Sequence, residues 1–238
     1  KPTIGFIGAG NMGLPMVKNL IKKGFQVKVY DINPKITKKL EKDNIKSVNN
    51  LRAVANNNFI ISILPDTQNV ESVFNTDTGI NSYLKPGTIV VDMSTISSSS
   101  AIEIGKKLQK EQIEFLDAPV SGGVKGALNA NLSIMVGGKK ETYKKSLNVL
   151  NSLGENIIYA GKLGMGQVFK MCNQIMVGSH IQAMCEAFAL CKSKGGDLKL
   201  LKETLRWGSA NSWILENLGN DVIDKKENPG FRIDLQLK

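Results

Sequence analysis

Three groups of residues in this chain have types and spacings suited to chemistry. In GKLGMGQVFKMCNQIMVG, Gly161 to Gly178, a glycine-rich run opens a helical pattern, and Lys170 and Asn173 follow three residues apart on one face. A lysine on an apolar helix either lays its stem along the surface with its ammonium in water or serves as an acid–base group. With an ordinary pKa of ~10.4 it is a poor base at neutral pH. Burial or a neighbouring positive charge would bring it toward the working range.

The second group is GFIGAGNMG, in which Gly8, Gly10 and Gly13 have GxGxxG spacing, with Asn11 and Met12 inside the turn. Alone the spacing is weak. Here it follows a β-branched run, opens a helical pattern, and is succeeded by Asp31 at the end of the next such run, which is the context of a dinucleotide-binding turn. Gly8 would allow the tight turn, Gly10 would let backbone approach a pyrophosphate, and Gly13 would let helix pack on strand. Asp31 can accept hydrogen bonds from ribose hydroxyls and would repel a 2′-phosphate, so NAD is expected over NADP; Lys35 is the nearby cation that could serve the phosphate. The third group, Ser121, Gly122 and Gly123, offers a hydroxyl and unhindered N–H groups after a strand end. That suits a carboxylate, or is a plain glycine turn.

These residues need a scaffold that brings strand ends together. Short apolar runs read as strands at Thr3–Gly8, Gln26–Asp31, Asn57–Pro65, Gly87–Ser94, Ile113–Val120, Asn131–Gly138 and Asn156–Gly161. Between them lie helical patterns, among them Met12–Lys23, Ser97–Lys110 with a serine-rich start that can cap it, and Lys140–Leu150. Near-continuous apolar strands alternating with helices predict an α/β fold with a doubly wound parallel sheet of Rossmann type over residues 1–161. From residue 162 to 238 the pattern is helical only. It begins with a helix from Gly164 to about Lys194, long enough to link two domains, which stops at the glycine signal KGGD.

Composition narrows the function classes. The net charge is +10, but of 31 basic residues only Arg52, Arg206 and Arg232 are arginine, and the lysines are scattered. Nucleic-acid binding as a main role is therefore not expected, and attraction for anionic substrates is the better use of the charge. No apolar run reaches the ~20 residues of a membrane helix. Cys172, Cys185 and Cys191 lack CxxC spacing, so neither disulfides nor a metal site are expected, and they read as small buried hydrophobes in a reducing compartment. The chain enters a strand almost at once, with no targeting segment in view. That suits a cytoplasm if the source is bacterial and a mitochondrial matrix if it is eukaryotic.

Taken in order, GFIGAGNMGLPMVKNL, DAPVSGGVKGALNANLSIMVGG and GKLGMGQVFKMCNQ resemble the β-hydroxyacid dehydrogenase family, and the resemblance covers the whole chain. It implies NAD-dependent oxidation of a small 3-hydroxy carboxylate to its semialdehyde, with 3-hydroxyisobutyrate as the preferred substrate. Tartronate semialdehyde reduction and succinic semialdehyde/glyoxylate reduction are the alternatives. The resemblance makes Lys170 the catalytic lysine and Asn173 its companion. It assigns Ser121, Gly122 and Gly123, with Thr95, to the substrate, and Leu64, Pro65, Asn69, Thr95 and Lys238 to the cofactor beside the glycine loop and Asp31. A positive nicotinamide ring would add to the fall in the lysine pKa. It also implies a homodimer or homotetramer, and further helices after Lys238, so the second domain is expected to be cut short here. Ala130–Asn131 stands where the family has glycine followed by threonine or asparagine. A non-catalytic dinucleotide-binding module is the rival of another class; the presence of both Lys170 and Asn173 argues against it.

Overall fold

The computed structural model describes residues 1–74 and 78–226, so Lys238 and the PGFRIDLQLK segment lie outside the described residues. The strands are β1 (Ile4–Ile7), β2 (Val27–Tyr30), β3 (Phe59–Ser62), β4 (Ile89–Asp92), β5 (Glu114–Asp117), β6 (Val120–Ser121), β7 (Leu132–Gly138) and β8 (Gly154–Gly161). The helices are α1 (Gly13–Lys22), α2 (Pro34–Lys42), α3 (Leu51–Ala55), α4 (Thr67–Val73), α5 (Ser98–Lys110), α6 (Gly123–Asn129), α7 (Lys140–Leu150), α8 (Met165–Ser193), α9 (Leu198–Arg206) and α10 (Trp213–Ile223). No helix among the described residues is long and apolar enough to cross a membrane.

Alternate residues of each central strand enter different cores. Phe6, Ile61, Val91 and Leu116 pack with Met16, Val17 and Leu20 of α1 and with Val149 and Leu150 of α7. Their neighbours Ile7, Ile60, Val90 and Phe115 pack with Val70 of α4 and Ala101, Ile104 and Leu108 of α5. A strand covered on both faces has no polar side to show, which is why β1, β3 and β4 read as unbroken apolar runs. The order is β2-β1-β3-β4-β5-β7-β6, with β8 on β7. The first five strands are parallel.

The sheet departs from an all-parallel one beyond β5. β5 and β6 are successive pieces of one strand direction, interrupted where Pro119 lacks an N–H to give. After α6 turns the chain back, β7 runs antiparallel to both, and β8 parallel to β7.

Capping follows the side chains. Asn33, Asn50, Asp66, Ser97, Asp197 and Ser212 each accept a first-turn N–H of the helix they precede. α8 stops at Ser193, and Gly195 (φ 77°) provides the left-handed turn that KGGD predicts.

The chain packs as two compact units, residues 1–170 and the residues from Met171 on, with α8 running through both. The second has its own small core of Met184, Phe188, Ile214 and Leu215. That core takes only one side of a helix that is apolar nearly all round. As a result Ile175, Met176 and Leu190 are exposed. The same fact corrects the reading of the cysteines: Cys172 and Cys185 are exposed and Cys191 is half-buried.

Candidate active site

The glycine loop has three different reasons for its three glycines. Gly8 adopts φ 91°, and a Cβ there would strike the Ile63 carbonyl. A Cβ on Gly13 would strike the Gly8 carbonyl, so only glycine lets α1 start this close to β1. At Gly10 a Cβ would meet nothing within 4 Å, leaving open space in front of the helix start. Met12 caps α1 without a side-chain acceptor; in the first turn Leu14 N–H donates to the Gly10 carbonyl at 3.1 Å and Pro15 has no N–H, which leaves the Gly13 N–H at the helix start for a ligand. Asn11 beside it is exposed. This cradle fits a pyrophosphate, which needs N–H donors and close backbone approach.

Asp31, directly after β2, is tied to the same loop. Its Oδ2 accepts from Ala9 N–H at 2.7 Å and its Oδ1 from Asn33 N–H at 2.8 Å. Each oxygen keeps a lone pair for a further donor.

Leu64 and Pro65 follow β3, and Thr95 follows β4. Gly8, Asp31, Leu64 and Thr95 therefore all lie just past the carboxyl ends of adjacent parallel strands, the edge on which open α/β sheets bind ligands. Leu64 and Thr95 are half-buried and Pro65 is exposed. Asn69 is exposed in α4, and its amide already donates to both carboxylate oxygens of Asp66 at 2.8 Å. Ser121, Gly122 and Gly123 stand apart on β6 and the start of α6. Their backbone is shaped by φ 125° at Gly122 and 60° at Gly123, and Ser121 pairs with Ser133 of β7.

Lys170 keeps only 8% of its surface exposed, whereas its neighbours Phe169 and Met171 expose 40% and 42%. A lysine on the solvent face of a core-packed helix would show the reverse. Asn173 is half-buried one turn further on, its amide donating to Gln174 Oε1 at 3.1 Å.

The start of α8 is held by groups the sequence reading passed over. Asp117, at the end of β5, accepts from Gly164 N–H at 2.7 Å and from Gln167 N–H at 2.9 Å, one on each oxygen. A Cβ on Gly166 would meet the Met135 and Asp117 carbonyls, so this glycine sets how near the helix comes to the sheet. Gln167 in turn bonds Ser94 and Ile96 on either side of Thr95.

Beside Asp117 in register is Asp92, whose Oδ1 accepts from Ser62 and Ser94 hydroxyls at 2.7 and 2.6 Å. Its Oδ2 is buried without a partner. Burial pushes the Asp92 carboxyl up to about 6, against the pull of the two serines. It also pushes Asp117 up to about 6, despite two N–H donors and with some help from the Asp92 charge. The available signal was VVDMS and FLDAP, each an acidic residue inside an apolar strand run.

Residues 3–161 match the family model described as the NAD binding domain of 6-phosphogluconate dehydrogenase. Residues 164–238 match the one described as NAD-binding of NADP-dependent 3-hydroxyisobutyrate dehydrogenase. The chain is 37% identical over 238 residues to an uncharacterized oxidoreductase of Synechocystis, covering 99% of this chain and 82% of that one. It is 36% identical over 214 residues to the mitochondrial 3-hydroxyisobutyrate dehydrogenase of Mus musculus, covering 90% of this chain but only 64% of the mouse enzyme. It is 37% identical to the NAD-dependent L-serine dehydrogenase of Pseudomonas aeruginosa, over 90% of this chain and 72% of that one. A solved structure of the Mycobacterium tuberculosis 3-hydroxyisobutyrate dehydrogenase with L-serine superimposes with TM-score 0.90 at 30% identity, over 99% of this chain and 82% of that one.

Proposed function

The chain belongs to the β-hydroxyacid dehydrogenase family, and from that premise we propose that it oxidises 3-hydroxyisobutyrate to methylmalonate semialdehyde with NAD. The observation that carries this reading is the inversion on α8, where Lys170 is buried between exposed apolar neighbours. Lys170 takes the hydroxyl proton from the substrate, and in the reverse direction its ammonium polarises and protonates the carbonyl. Asn173, on the same helix face, holds the hydroxyl in line with it. Ser121, Gly122 and Gly123, with Thr95, receive the carboxylate.

Bound at Gly8, Gly10, Asn11, Met12, Gly13 and Asp31, the dinucleotide supplies the hydride acceptor. Leu64, Pro65, Asn69 and Thr95 are assigned to its nicotinamide half, as is Lys238 outside the described residues. Asp31 favours NAD over NADP because a 2′-phosphate would meet its carboxylate.

L-serine is the second reading. It carries the same 3-hydroxy carboxylate unit, and a relative is named as its dehydrogenase. Self-association, as a homodimer or homotetramer through the residues from Met171 on, belongs to the same proposal. Its support is the exposure of Ile175, Leu190, Leu200 and Trp213, and the mass in solution by light scattering checks it. The function itself is tested by NADH formation with 3-hydroxyisobutyrate, L-serine, glycerate and 4-hydroxybutyrate in parallel, each with NAD and with NADP. Turnover preferring the first with NAD is expected. A preference for serine moves the substrate, and no turnover with any of them overturns the reading.

A further inference from the structure

Gln167 has no exposed surface and is bonded at every polar atom of its amide. Its Oε1 accepts from Ile96 N–H at 3.1 Å and its Nε2 donates to the Ser94 carbonyl at 2.9 Å, so the two partners flank Thr95. Its own backbone N–H is on Asp117. Ser94 extends the chain of bonds: its hydroxyl accepts from Leu64 N–H at 2.8 Å and donates to Asp92. One buried polar network thus joins the ends of β3, β4 and β5 to the first turn of α8, three residues before Lys170.

We propose that Gln167 is a positioning residue for this reaction, setting the register between Thr95 and Lys170. The inference rests on the dehydrogenase reading above. A buried amide with a donor and an acceptor both satisfied has one low-energy placement, because any slide leaves two backbone groups unpaired in a dry site. Lys170 follows within one helical turn, so the placement of Gln167 is transmitted to it through rigid backbone. No apolar side chain of the same volume could do this: it would fill the space without fixing the register.

The test uses Gln167→Met and Gln167→Glu in the full chain. Q167M keeps the volume and removes both bonds. Its kcat is expected to fall by roughly 10- to 100-fold, the scale of a small misplacement, while KM for NAD stays within about twofold. Hydrogen exchange at the Ile96 amide is expected to speed up. In Q167E the neutral acid can still donate to Ser94 and accept from Ile96, whereas the carboxylate cannot donate. Its kcat relative to wild type should therefore rise as pH falls, in surroundings that include Asp92 on β4, Asp117 on β5 and Lys170 on α8.

Wild-type kcat in Q167M, or a pH-independent ratio in Q167E, overturns the inference and leaves the dehydrogenase reading standing. If the wild type turns over no substrate, that reading falls. Ile96 exchange then decides alone: unchanged protection in Q167M overturns the clamp. Should Q167M not fold, the Q167E pH series carries the decision.

Discussion

Lys170 and Lys202 leave the same 8% of their surface exposed, yet their surroundings differ. Lys202 lays its stem on Gly219 and donates to Asn220 Oδ1 at 2.9 Å, an arrangement internal to α9 and α10. Lys170 sits on the stretch of α8 that is bonded to the carboxyl edge of the sheet. Lys170→Ala is therefore expected to lower kcat by about 10²- to 10⁴-fold, the usual worth of an acid–base group, with NADH binding by fluorescence titration nearly intact. Rates near wild type would remove Lys170 from the mechanism. Asp31 calls for a different readout. Asp31→Ala also frees Ala9 and Asn33 N–H, so a loss of NAD affinity alone would be ambiguous. The ratio of kcat/KM for NAD over NADP is the discriminating quantity. It is expected to fall at least about tenfold, the worth of one charged hydrogen bond; an unchanged ratio would show that Asp31 does not read the ribose.

Two helix starts, α1 and α8, meet the sheet through glycines that do opposite work, and substitution separates them. Alanine at Gly166 would press on the Met135 and Asp117 carbonyls and on Asp117 Oδ2 at 2.7 Å, so Gly166→Ala should cost about 1–3 kcal/mol of stability. Alanine at Gly10 meets only open space, so Gly10→Ala should leave the thermal midpoint near wild type while weakening dinucleotide binding. Equal midpoints for the two variants would refute this division. The Gly10 half of the contrast was legible in sequence because the glycine spacing, the preceding strand and Asp31 lie within 31 residues of one another. The sheet was legible for a related reason: strands covered on both faces cannot hide their apolar runs. The clamp at α8 was not. Gln167 meets partners more than seventy positions away, and glutamine by type reads as solvated until the fold buries it. The direction of β7 was equally hidden, since it depends on the break at Pro119 and the turn through α6. The exposed cysteines follow from how little of α8 the second core covers, which periodicity in an evenly apolar helix does not reveal.

Across the whole molecule, placing two carboxyls side by side under the site has a consequence for stability. Asp92 and Asp117, in register on β4 and β5, have folded-state values near 6 against 3.8 in an ordinary setting. Between those values the folded protein binds more protons at these groups than the unfolded chain does. Their favourable contribution is therefore complete below about pH 4 and is lost as pH rises through 6. Above that both states are ionised and no further loss follows. Asp43, held low by Lys18, acts in the opposite sense, but at an exposed site where the effect is small. Asp92→Asn keeps the shape, still accepts from Ser62 and Ser94, and removes the charge that helps raise Asp117. The thermal midpoint of the variant relative to wild type should consequently climb between pH 4 and 7 and level off above. A difference that stays constant over that range would mean that Asp92 is already ionised in the folded protein, and that its unpartnered oxygen is tolerated as a charge.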